Sequence, residues 1–132
     1  MGRIAIAIIM LIALVSSANA NDRSLVDQWY NALKASDRSA FEKILSEGAE
    51  IILKQLDVSQ TKTEFIEALD NWENVAAGLE LTYEAQNIDA TGASAEVCYR
   101  FPASAFTNLE IFTFEGNRIT QQEQQRLQDG CK

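Results

Sequence analysis

The chain has 132 residues, one proline, two cysteines and no histidine, and its 11 Lys plus Arg against 19 Asp plus Glu give a net charge of −8. So acidic a chain repels phosphate backbones and anionic lipid, because nucleic-acid binders need a basic footprint. The missing histidine removes the usual general base and the commonest metal ligand, and the length supports one domain with a modest core.

The first twenty residues differ from the rest. Met1-Gly2-Arg3 supplies a basic start, Ile4 to Val15 is apolar without a break, and Ser16-Ser17-Ala18-Asn19-Ala20 follows. This is the pattern of a secretory signal, with Ala18-Asn19-Ala20 fitting the small-residue cleavage rule. A membrane-spanning helix needs about 20 apolar residues, and the run from Ile4 to Val15 is too short. Cleavage after Ala20 is expected to leave 132 − 20 = 112 residues. With Arg3 gone, ten basic against nineteen acidic residues give −9. The expected location is exported, either periplasmic or secreted, with no membrane association after cleavage. Cys98 and Cys131 both lie in the exported part, where an even pair normally forms a disulfide. Free thiols or a metal pair is the alternative, but there is no CxxC spacing, so no metal and no cofactor is expected.

The first mature segment reads as a helix: Ser24 and Asp27 resemble a capping box, and Leu25, Val26, Trp29, Tyr30 and Leu33 recur at helical spacing. A second helix starts at Asp37, carries Ala40, Phe41, Ile44 and Leu45 on one face, and is expected to end at Gly48. Glu50 to Leu56 reads as a strand. Thr61 with Glu64 is a capping box opening a third helix with Phe65, Ile66, Leu69 and Trp72. After Gly78 the period becomes two. Leu79 to Gln86 and Ala93 to Phe101 alternate apolar with polar, separated by a turn at Asp89–Gly92 and stopped by Pro102. Phe106 to Phe114 is the next strand, and Glu115-Gly116-Asn117 turns into a last one from Arg118. The Gln-rich end, Gln121 to Gln128, is expected as strand for its first half and as solvated surface. Helices followed by a strand meander give an α+β fold, a helical layer on one face of a curved, mainly antiparallel sheet.

The stretches DQWYNALKASDRSAFEKIL and LEIFTFEGNRI, with this element order, resemble the nuclear-transport-factor-two-like superfamily, which includes ketosteroid isomerases and SnoaL-like polyketide cyclases. The resemblance spans almost all of residues 22–127. It implies a cone: a sheet wrapped round three helices, leaving an apolar cavity open at one end. In the isomerases a general-base aspartate ends the first strand, a tyrosine on the first helix donates, and a carboxylic acid sits on a late strand. Carried onto this chain, the base position falls at Leu53, beside Lys54; the helix tyrosine falls near Trp29 or Tyr30, and Glu110 matches the late-strand acid. Leucine cannot take a proton, and a lysine would need its pKa strongly lowered. The implied reading is therefore not an enzyme of that type.

Period two puts Glu110 on one strand face with Phe112 and Phe114. A hairpin turning near Ser104-Ala105 would set Tyr99 opposite Glu110 and Val97 opposite Phe112. That face is the more apolar and is expected to face the cavity, where a carboxylate must be hydrogen-bonded, paired or protonated. Tyr30, Tyr83, Tyr99, Glu110 and Phe112 are the candidate ligand-binding residues, with Glu110 the one candidate acid. The bland alternative is a structural carboxylate satisfied by a tyrosine. Trp29 and Trp72 both sit on apolar helical stripes and read as core, whereas Arg100 reads as solvated or at a subunit interface rather than as an anion ligand. Cys98 shares the face of Arg100, so the tail bearing Cys131 should cross the outer side of the sheet. The expected function is an exported, non-catalytic module holding a small apolar or amphipathic molecule. The alternatives are a SnoaL-like enzyme using Glu110, and a domain that homodimerises or docks a protein through the outer sheet face near Ile111.

Overall fold

The computed structural model describes residues 18–132. The expected leader falls on residues 1–20, and all but its last three lie outside the described residues. Helix α1 (Ala18–Ala35) presents Leu25, Val26, Trp29, Tyr30 and Leu33 to the interior, as the 3.6 period requires. It begins before Ser24, so that residue lies inside the helix rather than capping it, and the Ser24 hydroxyl accepts from the Gln28 amide at 2.9 Å. Helix α2 (Arg38–Ile44) is capped by the Asp37 carboxylate, which accepts from the Ala40 amide at 3.1 Å.

The second helix stops earlier than its apolar stripe suggests. Leu45 is already extended, at φ −90° and ψ 132°, and opens strand β1 (Leu45–Leu53), so Gly48 lies inside a strand. Lys62 explains the early stop. Its buried ammonium donates to the carbonyls of Glu42 and Leu45, at 2.9 and 3.1 Å, and to Glu47 Oε1 at 3.0 Å, satisfying groups the helix end leaves open. Beyond Leu53 the chain leaves the sheet in a single 3₁₀ turn, Lys54–Leu56, where a strand was expected to continue. A short strand β2 (Val58–Thr61), which carried no sequence signal, then pairs back on β1. Thr61 and Glu64 form the expected capping box, each bonding the other's backbone amide, and open α3 (Lys62–Val75).

Strands β3 (Glu80–Asp89), β4 (Gly92–Arg100), β5 (Ala105–Glu115) and β6 (Arg118–Asp129) complete a six-stranded mixed sheet in the order β2-β1-β6-β5-β4-β3. The β3–β4 turn is held by Asp89, whose Oδ1 accepts from the Thr91 amide, the Thr91 hydroxyl and the Gly92 amide at 2.7 to 3.0 Å. Gly92 is required there, because a Cβ would lie 2.3 Å from the Phe112 carbonyl oxygen. Gly116, at φ +60°, serves the two-residue turn into β6. β6 is strand through its whole length because it is central, antiparallel to β5 on one edge and parallel to β1 on the other.

The β4–β5 hairpin turns two residues earlier than expected. Phe101 and Ser104 close it, with the Phe101 amide donating to the Ser104 carbonyl at 2.7 Å, and Arg100 pairs Ala105. Pro102 sits second in that turn, where its fixed φ is favoured. The register therefore sets Tyr99 opposite Phe106, Val97 opposite Asn108, Ala95 opposite Glu110 and Ala93 opposite Phe112. The slip is an even number of residues, so every side chain keeps its expected face. On the outer face a disulfide joins Cys98 to Cys131, with their Cα atoms 5.6 Å apart.

The inner face and the helices share one core. Trp29 lies at its centre, its ring centroid 5.0 Å from Phe41, 5.1 Å from Phe65 and 5.7 Å from Phe112.

Candidate functional site

Glu110 stands on the inner face of β5, flanked by the small Ala95 on β4 and by Gln124 on β6, and no part of it reaches solvent. Four donors converge on it. Oε1 accepts from the Tyr30 hydroxyl at 2.8 Å and the Gln122 amide at 3.0 Å; Oε2 accepts from the Tyr99 hydroxyl at 2.6 Å and the Asn108 amide at 3.1 Å. A buried carboxylate needs this number of partners to offset its lost hydration. Burial raises the Glu110 pKa, and the four hydrogen bonds oppose that rise. The hydroxyls of Tyr30 and Tyr99 are pushed well above the ordinary tyrosine value by burial and by the neighbouring carboxylate, so both stay protonated and donate.

The helix side of this network is fixed by stacking. Tyr30 lies with its ring centroid 4.3 Å from that of Tyr83, whose hydroxyl donates to Asp27 at 2.6 Å. The sheet side opens on a cavity of about 400 Å³, within the range that small-molecule sites occupy. Leu33, Phe65, Leu69 and Trp72 form its helical wall, and Leu53 and Leu56 line it from the end of β1 and the 3₁₀ turn. Tyr99, Phe106, Asn108 and Gln124 form its sheet wall; Gln60, Asn71 and Val75 complete the polar and apolar rim. Among the described residues, no Asp, Glu, Lys or Arg lines it.

The five candidate residues separate on this geometry. Tyr30, Tyr83, Tyr99, Glu110 and Phe112 do assemble on the inner side of the sheet. Of them only Tyr99 lines the cavity. Glu110 is one layer behind, reached through Tyr99 and Asn108, while Tyr30 and Phe112 are sealed in the core. Tyr83 lies on the α1 side, half-buried. Tyr99 reaches Glu110 from four residues along the strand pair, its own partner being Phe106, rather than as the directly opposed pair expected. Trp72, expected in the core, is a wall of the cavity, its indole N–H donating to the Leu33 carbonyl at 2.8 Å.

Three site residues escaped the sequence reading. Asn108 was available from the period of two, since it shares a face with Glu110 and Phe112. Gln122 and Gln124 were not, because a glutamine run reads as solvated surface until the central place of β6 is known. Gln122 is fully buried, and Gln124 donates to it at 2.9 Å.

No protein-family model and no curated protein matches the chain. Solved structures do. A proposed ketosteroid isomerase from Kribbella flavida superposes with a TM-score of 0.71 at 14% identity, covering 83% of this chain and 80% of its own. A nuclear-transport-factor-two-like protein of unknown function from Cytophaga hutchinsonii gives 0.68 at 13%, covering 83% and 99%. A steroid delta-isomerase from Pseudomonas aeruginosa gives 0.63 at 16%, covering 83% and 81%. The chain has the nuclear-transport-factor-two-like fold. Identities this low carry the fold and nothing finer. Within that fold, Leu53 stands at the cavity wall where the resemblance locates a base, and the neighbouring Lys54 forms an ion pair with Glu123 at 2.7 Å outside it.

Proposed function

We propose that this domain is an exported binding module that holds a small apolar or amphipathic molecule in its cavity and catalyses no reaction on it. The observation that carries the reading is the lining: apolar walls, amide and hydroxyl groups, and no charged side chain among the described residues. General acid–base catalysis needs a titratable group within hydrogen-bond reach of the reacting atom. Among the described residues, the only titratable side chain on the wall is the Tyr99 phenol, held well above its ordinary value. Binding is tested by titrating a panel of neutral hydrophobic ligands while following Trp72 fluorescence, with the sealed Trp29 as an unresponsive background. Saturable quenching that disappears in Trp72→Phe supports the module. Failure of every neutral ligand to saturate would sink it. Export rests on the leader pattern, and the N-terminus of protein recovered from the cell envelope should be Asn21.

The competing reading, an isomerase- or cyclase-like enzyme, draws on the names of the structural neighbours and on the raised pKa of Glu110. It requires Glu110 to act through Tyr99 or Asn108, since the carboxylate does not line the cavity. A turnover detected in the wild type and lost in Glu110→Gln, with binding retained, would favour it over the module.

A further inference from the structure

The neutral cavity borders a second hollow, and that hollow carries a charge. It measures about 360 Å³ and shares Leu53, Leu56, Phe106, Asn108 and Gln124 with the cavity, adding only Gln55 and Arg126. Arg126 pairs with Asn108 across β5 and β6, so period two places it on the inner face of the sheet with Gln122 and Gln124. Its guanidinium carbon lies 4.0 Å from the centroid of the Phe106 ring, close enough for the ring face to hold the cation. Phe106 in turn stacks on Tyr99, with centroids 5.0 Å apart, so the guanidinium is seated on aromatic rings that continue into the cavity wall.

The charge of Arg126 is little used within the chain. Among the described residues its one ion partner is Asp129, 3.8 Å away and 95% exposed. That distance is beyond hydrogen-bond reach, and so exposed a pair contributes little. Glu123, the other acid of β6, is taken by Lys54 at 2.7 Å. About a third of the Arg126 side chain (35%) is exposed, so the cation can be reached from solvent beside an apolar interior. We infer that this hollow seats the carboxylate head of an amphipathic ligand on Arg126, while the apolar body of the ligand fills the neutral cavity. The planar fork of a guanidinium matches the two oxygens of a carboxylate. A single fork in a chain of net charge −8 suits a monoanion better than a phosphate dianion. The inference rests on the binding-module reading and narrows its amphipathic ligands to acids.

The test uses a matched pair, 2-naphthylacetic acid and 2-naphthylacetamide, which share a ring body and a planar head and differ in charge. Equilibrium dialysis of the purified protein at about pH 7.5, where the acid is ionised, should show it binding on the order of fivefold tighter than the amide at low salt. Raising sodium chloride from about 20 mM to about 500 mM should close most of that gap. Arg126→Gln should bring the two affinities together by weakening that of the carboxylate. Equal affinities in the wild type at low salt, or a preference that survives Arg126→Gln, would overturn the head-group site and leave the binding module standing. Saturation by neither probe, nor by any neutral ligand, would overturn both. Where Arg126→Gln does not fold, the wild type decides through salt: a preference that salt leaves unchanged overturns the site.

Discussion

The two tryptophans look alike in the sequence and do opposite work. Trp29 is enclosed by Phe41, Phe65 and Phe112, and no part of it is exposed. Trp72 touches Tyr99 and Phe101 edge-on at 6.4 and 6.2 Å and leaves one side to the cavity. The domain thus divides into a sealed half under α1 and α2 and a hollow half under α3, with Glu110 on the boundary. Tyr30 reaches it from the sealed side; Tyr99 and Asn108 reach it from the hollow one. The division arises from what faces each helix. Under Trp29 the sheet offers Phe112. Under Trp72 it offers Tyr99 and Asn108, both pulled back toward a buried carboxylate.

Substituting each tryptophan should separate the halves most sharply. Trp29→Ala should cost about 4 kcal/mol by urea unfolding, as expected for a fully buried indole. Trp72→Ala should cost roughly half of that, since its packing is one-sided, while abolishing ligand-induced fluorescence change. Equal costs would erase the distinction between the halves.

Glu110→Ala attacks the boundary itself. It strands the four donors that converge on the carboxylate, and about 3 kcal/mol of stability should go with them. Ligand affinity should fall too, because Tyr99 and Asn108 lose the group that orients them. A variant as stable as the wild type would mean the network is a replaceable filler.

The cystine lies on the outer face behind the hollow half, beside Tyr99 in sequence and with Cys131 Sγ 3.5 Å from the Phe106 carbonyl. Its separation of 33 residues predicts about 4 kcal/mol of stabilisation in the chain-entropy model. The Cys98→Ser/Cys131→Ser double variant should lose that much and should bind ligand more weakly. Loss of stability with unchanged affinity would place the staple outside the hollow half's mechanics.

How far the sequence foretold this division can be argued from single residues. Alternation in β4 located the buried face, and Ala93, Ala95, Val97 and Tyr99 are all interior. The face of Glu110 was legible for the same reason, even with the hairpin register misplaced. Its depth was not. Whether a carboxylate borders a cavity or lies behind it depends on Gln122 and Asn108, and Gln122 becomes interior only because a distant strand, β1, covers the edge of β6. The end of α2 was misjudged because Lys62, seventeen residues beyond Leu45, supplies the stop. Local period reports which face a residue takes, and long-range pairing decides what covers that face.

The smallest predicted effect is one of pH, and it probes the boundary without removing an atom. Burial raises the Glu110 pKa above its ordinary 4.5, so the folded chain holds that proton more tightly than the unfolded one. The stabilising contribution of the proton is therefore complete below about pH 4.5 and is lost as pH rises through the folded-state value. Glu47, lowered by its hydrogen bond to Lys62 and the lysine's charge, and Asp89, lowered by its bonds to Thr91 and Gly92, work in the opposite sense and lose stability as pH falls. Comparing the wild type with Glu110→Gln cancels those two carboxylates and isolates the buried one. The wild type's urea midpoint should fall relative to that of the variant between pH 4.5 and 7.5. A gap that stays constant would mean that the four donors fully offset burial; a gap that moves the other way would mean that they exceed it.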